Sequence, residues 1–340
     1  MGFHGDMANN GEPLVRVLRG DREESVHTGA LVLWEGDRVL LSRGDPSRVV
    51  FYRSASKPLQ ALELVRSGAA EAMGLSDAEI AVAAGSHSGE ARHLETVRSL
   101  LAKAGVPENA LRCGGHRSVN PDVAFAQRRD GVAVTPILSN CSGKHAGMLA
   151  VARRQRAPLE SYMDLSHPVQ QAILGHVATF AGLPRDRIFA GVDGCGAPAL
   201  ALPLEAMARS LQRFGVPDDV KDAALQAAAR RVAAAMRAHP EMVGGVERFD
   251  TDLIVASQGR VLAKAGAEGV HAFAVPERRM GFAIKVDDGN DRGYRTVVLE
   301  VLRRFGVLAE TVVEPLRARY ANPTLTSLAG APVGRMEMAF

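Results

Sequence analysis

Strand-type and helix-type patterning do not alternate along this chain, and that order limits its possible folds more than any other feature. Residues 28–42 alternate apolar and polar around Glu35-Gly36-Asp37, which predicts a β-hairpin. Helical periodicity follows. A helix with first residue Pro58 carries Leu59, Leu62, Leu64 and Val65 and ends near Gly68. Glu90 to Lys103 places Leu94, Val97, Leu100 and Leu101 on one side. Residues 167–181 and 198–214 read as helices, and 217–238 as an Ala-rich helix stopped before Pro240. Residues 80–84 (IAVAA) form a short, buried, strand-like run, and 106–145 are loop-rich. Beyond them, 252–257 and 260–265 alternate around Gln258-Gly259 as a second hairpin. Residues 270–275 and 280–286 read as strands, and a helix runs from the turn Asp287-Asp288-Gly289-Asn290 to Arg304. This is not a βαβ order. It predicts an α+β fold, an antiparallel sheet built from both chain ends and covered by helices. No linker or repeat demands a split, so the expected organisation is a flexible tail at 1–12 and a single domain at 13–340 with a helix-rich middle at about 150–245.

Several classes are excluded. Hydrophobic residues make up 46% and charged residues 23%, as in ordinary globular chains and unlike disordered ones. No apolar run approaches the roughly 20 residues of a membrane helix; the longest, Ala197 to Leu204, is short and broken by Pro198 and Pro203. The first residues, MGFHGDMANNGEPL, carry neither a basic segment nor an apolar one, so the expected location is cytoplasmic, with no membrane partner. The net charge is +3, the Arg pairs are scattered, and aromatics are 5%, which argues against nucleic acid as a partner.

The basic residues themselves are unevenly chosen: six lysines against 35 arginines. Arginine holds its proton at any neutral pH, whereas a desolvated lysine can lose it. Lys103, Lys221 and Lys285 sit in ordinary charged contexts. Lys57, Lys144 and Lys264 stand among small residues, hydroxyls and a thiol, in SASKPLQ, SNCSGKHAG and VLAKAGAEG.

Each of the three loops admits a chemical reading and a plain one. Ser54 and Lys57 have Ser-x-x-Lys spacing, and on a helical turn positions i and i+3 share a face. A neutral Lys57 there would make the Ser54 hydroxyl a nucleophile. Pro58 biases Lys57 away from helical geometry, and the plain reading is a helix cap with a solvated lysine. Lys264-Ala265-Gly266 ends a strand; with Ser-x-x-Lys it matches two elements of penicillin-binding proteins and serine β-lactamases, whose middle element Ser-Asp-Asn is absent. In its place stand Ser86-His87-Ser88-Gly89-Glu90 and Ser139-Asn140-Cys141. Cys141 and Cys195 lie in Gly-flanked loops near Lys144, His145 and Asp193, a set able to offer sulfur and nitrogen to zinc; the plain reading is two buried free thiols. His116, His167, His176, His239 and His271 have no ligand spacing, and His87 beside Ser86 reads first as structural.

RSASKPLQ, AAGSHSGE, SNCSGKHAGML, GVDGCGAPALALPL and VLAKAGAEGV, in this order, resemble the rhizobial-type, or thermolabile, L-asparaginase II family from about residue 26 to 332. The resemblance implies a serine β-lactamase/penicillin-binding-protein-like fold, a homodimer, and hydrolysis of L-asparagine to L-aspartate and ammonia. It implies catalytic pairs Ser54–Lys57 and Ser86–Lys264. It implies a zinc ion held by Cys141, Lys144 and Cys195, with Arg53, His145 and Asp193 lining or supporting the site. Two other functions remain to be separated from this one: another Ser–Lys acyl hydrolase of the β-lactamase or esterase kind, and a non-catalytic zinc or amino-acid binding protein.

Overall fold

A computed structural model describes residues 11–340. Residues 1–10 of the expected tail lie outside the described residues, and Glu12 already begins a strand. The strands are β1 (Glu12–Arg19), β2 (Arg22–Glu35), β3 (Arg38–Arg43), β4 (Val49–Phe51), β5 (Phe189–Val192), β6 (Pro198–Pro203), β7 (Leu262–Gly266), β8 (Val270–Val275), β9 (Met280–Val286), β10 (Thr324–Thr326) and β11 (Pro332–Met338). Strands from the two chain ends form one eight-stranded sheet in the order β10-β11-β1-β2-β9-β8-β7, with β3 paired to β2, while β4, β6 and β5 make a small second sheet. Every pairing is antiparallel. The α+β prediction from both ends of the chain therefore holds.

The β2–β3 hairpin turns at Gly36-Asp37, with Gly36 at φ +57°, the left-handed region that such a two-residue loop requires. The main helices are α1 (Asp77–Ala83), α2 (Ala91–Lys103), α3 (Pro121–Arg129), α4 (Ser142–Gln155), α5 (Pro168–Ala181), α6 (Leu204–Gly215), α7 (Ala223–Ala238), α8 (Phe249–Ala256), α9 (Asp291–Arg304) and α10 (Glu310–Tyr320). Helix α6 lies on one face of the large sheet, so close that a Cβ on Gly281 of β9 would sit 2.2 Å from the Ala208 carbonyl. Helix α9 lies on the other face, where Gly293 meets Val286; residues 281 and 286 have opposite parity in β9, hence opposite faces. The core fills both layers and includes the stacked pair Phe273 and Phe282, 4.7 Å apart.

Three local expectations are corrected. The run at 80–84 is the end of a helix: Ser76 and Glu79 close a reciprocal capping box that starts α1. Residues 198–203 are a strand, and the helix begins only at Leu204. The second hairpin does not exist, since 249–256 is helical and Gln258 and Gly259, at φ +54° and +75°, end that helix before β7. Helix α3 also interrupts the stretch expected as loop, and residues 324–338 add β10 and β11 beyond the last element expected.

Candidate active site

Tyr52, fully buried, anchors the start of the site through a hydroxyl bond to Ser210 Oγ at 2.7 Å. Arg53 follows at φ +50°, a backbone region unfavourable for a residue with a Cβ. Its guanidinium meets the Asp193 carboxylate at 3.1 Å. A tight turn over Arg53–Ser56 then passes directly into a helix over Lys57–Gln60. Lys57 is helical although proline follows it, so the local bias set by Pro58 is overridden and the helix starts one residue earlier than expected. The Lys57 amide donates to the Ser54 carbonyl, and the two side chains stand at i and i+3 of one helical turn.

Lys57 is buried, and its Nζ donates to the carbonyls of Gly85 at 2.8 Å and Asn140 at 3.1 Å. Those bonds carry the amine from the Ser54 turn to the residue preceding Ser86. Ser86 Oγ is buried without a hydrogen-bond partner among the described residues. Burial pushes the Lys57 amine below its ordinary pKa, and Lys144 adds to this; the Cys141 and Cys195 sulfurs oppose it.

Cys141 and Lys144 stand at the N-terminus of α4, a helix buried nearly all round. This is possible because Gly143 lets α4 touch α1; a Cβ there would lie 2.3 Å from the Val82 carbonyl. Lys144 Nζ donates to Cys195 Sγ at 3.1 Å. Cys195 lowers the Cys141 thiol through a sulfur-to-sulfur hydrogen bond, with help from Lys57 and Lys144 against the effect of burial. Cys195, which provides that proton, is raised. His145 is buried, with Nδ1 2.7 Å from the Tyr162 hydroxyl and Nε2 unpartnered among the described residues; burial and the two lysines push its pKa far down, so it is neutral.

Among the described residues no three His, Cys, Asp or Glu side chains gather as a metal site. A zinc ion at the expected place would therefore need the Lys144 amine as third donor. The donor set fits: two buried thiols and an amine are soft and borderline ligands. Tetrahedral bonds of about 2.3 Å to sulfur and 2.0 Å to nitrogen put the ligand atoms about 3.5 Å apart, close to the 3.1 Å between Lys144 and Cys195.

Lys264 lies on β7, which packs against the Arg53–Ser56 turn. Its Nζ donates to the Ala265 carbonyl at 2.8 Å and faces Asp250 Oδ2 at 3.5 Å. Burial pushes its pKa down to about 8, against the opposing pull of Asp250. All ten predicted site residues thus fall on a few neighbouring segments: the 53–57 turn, the 85–86 loop, the start of α4, the β5–β6 turn and β7. No hydrogen bond joins Lys57 Nζ to Ser54 or Lys264 Nζ to Ser86; both amines rest on backbone carbonyls. The sequence alone did not point to Asp250, just ahead of the supposed hairpin, and set aside His271, which the structure places 3.1 Å from Asp250. It quoted Asn140 only in passing, although its carbonyl holds Lys57.

A serine turn flanked by buried amines is the equipment of an acyl hydrolase. More specifically, residues 15–338 match the family model described as L-asparaginase II, and the chain belongs to that family. No curated protein matches it. Similar solved structures include the D-alanine carboxypeptidase AmpC from Burkholderia cenocepacia, 12% identical, covering 82% of this chain and 93% of that one with a TM-score of 0.42. A β-lactamase from Mycobacterium bovis is 13% identical, covering 86% and 95% with a TM-score of 0.38.

Proposed function

We propose that this protein hydrolyses L-asparagine to L-aspartate and ammonia through an acyl-enzyme on Ser54. The observation that carries the reading is Lys57: a buried amine, one helical turn from Ser54, with its pKa lowered by burial. In the first step Ser54 Oγ attacks the carboxamide carbon while Lys57 takes the hydroxyl proton. The tetrahedral intermediate collapses, the C–N bond breaks, and the leaving nitrogen takes a proton and departs as ammonia. Lys264, with its pKa near 8, and Ser86 are the groups for that transfer. Water then attacks the ester, the proton returns to Ser54, and aspartate leaves. Arg53 and Asp193 are partly exposed and opposite in charge, matching the α-carboxylate and α-ammonium of an amino acid.

Zinc belongs to this reading. Cys141, Lys144 and Cys195 would hold it, and when bound it would supply a Lewis-acid centre and hold the α4 and β5–β6 segments together. The Lys144 amine is raised in pKa by its sulfur neighbours, against burial. A metal would have to displace that proton. A homodimer also belongs to it: Phe51 and Phe189 pack edge to face, 5.9 Å apart, on an exposed face of the small sheet beside the Arg53–Asp193 pair. Sedimentation of the purified chain tests the dimer.

The decisive experiment measures asparagine-dependent ammonia release by purified protein and by Ser54→Ala, with nitrocefin as a parallel substrate. The expected result is ammonia release, reduced at least about a thousandfold in the variant with the fold intact. Nitrocefin cleavage without ammonia release would move the chain to the other acyl hydrolases. No turnover of either substrate would leave a binding protein.

A further inference from the structure

Among the described residues β7 is the edge strand of the large sheet, and its outward amides have no strand to pair with. One of them, Ala265 N–H, donates to Asp250 Oδ2 at 2.7 Å. Asp250 comes from the first turn of α8 and is buried. The carboxylate straddles the sheet edge. On the α6 face, the face of Ala272 and Ala283, it meets Lys264 Nζ at 3.5 Å. On the α9 face its other oxygen takes His271 Nε2–H at 3.1 Å. His271 is fully buried, stacked on Tyr294 at 5.1 Å and edge-on to Phe249 at 5.5 Å, and its Nδ1 has no partner among the described residues. Because the carboxylate can only accept, Nε2 carries the hydrogen in this bond.

We infer that Asp250, locked by His271 and the Ala265 amide, is the positioning residue that fixes the orientation and charge of Lys264. Three donors converge on one buried carboxylate, and the lysine is the one that brings a positive charge to the serine turn. Burial pushes the Asp250 carboxyl up and the Lys264 amine down, but Lys264 and hydrogen bonds from His271 and Ala265 hold Asp250 below the usual carboxylate range, so it stays ionised. Lys264 also faces Lys57 and Arg248, which oppose its charge, while Tyr294 and Arg295 face Asp250 from α9. Asp250 is thus the counter-charge that keeps Lys264 from being neutral well below pH 8. The role in catalysis rests on the asparaginase reading; the electrostatic coupling does not.

With six lysines in the chain, 13Cε NMR of lysine-labelled protein resolves Lys264, assigned by its loss in Lys264→Met. The expected result is that Asp250→Asn, nearly the same shape but uncharged and with one oxygen left to accept from Ala265 N–H or His271 Nε2–H, lowers the Lys264 midpoint by at least about one pH unit. An unchanged midpoint in a folded variant overturns the inference. In active enzyme the pH limb of kcat/KM moves down with it. If the protein has no asparaginase activity, the NMR shift still stands or falls alone. If Asp250→Asn fails to fold, the doublet Asp250→Asn with Lys264→Met removes the unmatched charge and is expected to restore folding. A doublet that also fails overturns the inference in favour of a purely architectural carboxylate.

Discussion

Arg53 is held with its backbone in the left-handed region one residue before Ser54, an arrangement that costs on the order of 1 kcal/mol or more and needs surrounding structure to enforce it. Tyr52 and the Asp193 pair supply that enforcement. Lys57, at the other end of the turn, is where charge matters most. Lys57→Arg keeps a cation but cannot give up its proton, and is expected to lose about 100-fold or more in kcat with the fold retained. Near-normal turnover in an ammonia-release assay would end the neutral-base role. Lys264 provides a thermodynamic check. Its folded pKa, near 8, lies below the ordinary 10.5. Between those values the unfolded chain holds a proton that the folded chain has lost, so this group makes stability rise with pH across that window. Lys264→Met is expected to remove that rise. At pH 7 it also leaves Asp250 unmatched and destabilises by about 3–5 kcal/mol. Melting temperatures from pH 7 to 10.5 test both effects.

Between elements, α4 approaches α1 closely beside the site. Gly143→Ala would place a Cβ 2.3 Å from the Val82 carbonyl, forcing the helices apart, whereas Gly147→Ala meets side-chain atoms alone, Ala83 Cβ at 3.2 Å and Leu64 Cδ2 at 3.6 Å. The first is expected to cost about 1–3 kcal/mol and to lower activity more than tenfold, because Cys141, Lys144 and His145 ride on α4. The second should cost less, as measured by thermal unfolding and ammonia release. Elements with a strong period were legible in the sequence: α2, α5, β8 and β9 stand where their apolar spacing puts them. Short all-apolar runs were not. IAVAA has no period to read, and only the Ser76–Glu79 box upstream identifies it as helix. PALALP reads as the start of a helix over 198–214, but it pairs between β4 and β5. The site lysines were legible because arginine dominates elsewhere; Asp250 was not, since its partners lie 14 and 21 residues away across a sheet edge.

At the scale of the molecule, the sheet separates two tasks. Its β7 edge holds Lys264 against the serine turn, and its far side is closed by β10 and β11. Strand β11 pairs with β1 from Val15–Met338 to Arg19–Gly334. Removing residues 322–340 would leave those β1 groups as an open edge, losing hydrogen bonds each contributing roughly 1 kcal/mol and exposing a surface prone to pairing with other chains. The buried face of β1 would survive, because Leu14, Val15 and Val17 pack into the core that also contains β2 and α9. The truncated chain is therefore expected to melt several degrees lower and to aggregate more readily. At 20 °C it should still release ammonia within about twofold of the full chain, since four strands (β1, β2, β9 and β8) separate the cut edge from β7. Circular dichroism melting together with the ammonia assay on soluble protein tests this. Loss of activity while the truncated chain remains folded would mean that the C-terminal strands act on the site and do more than close the sheet.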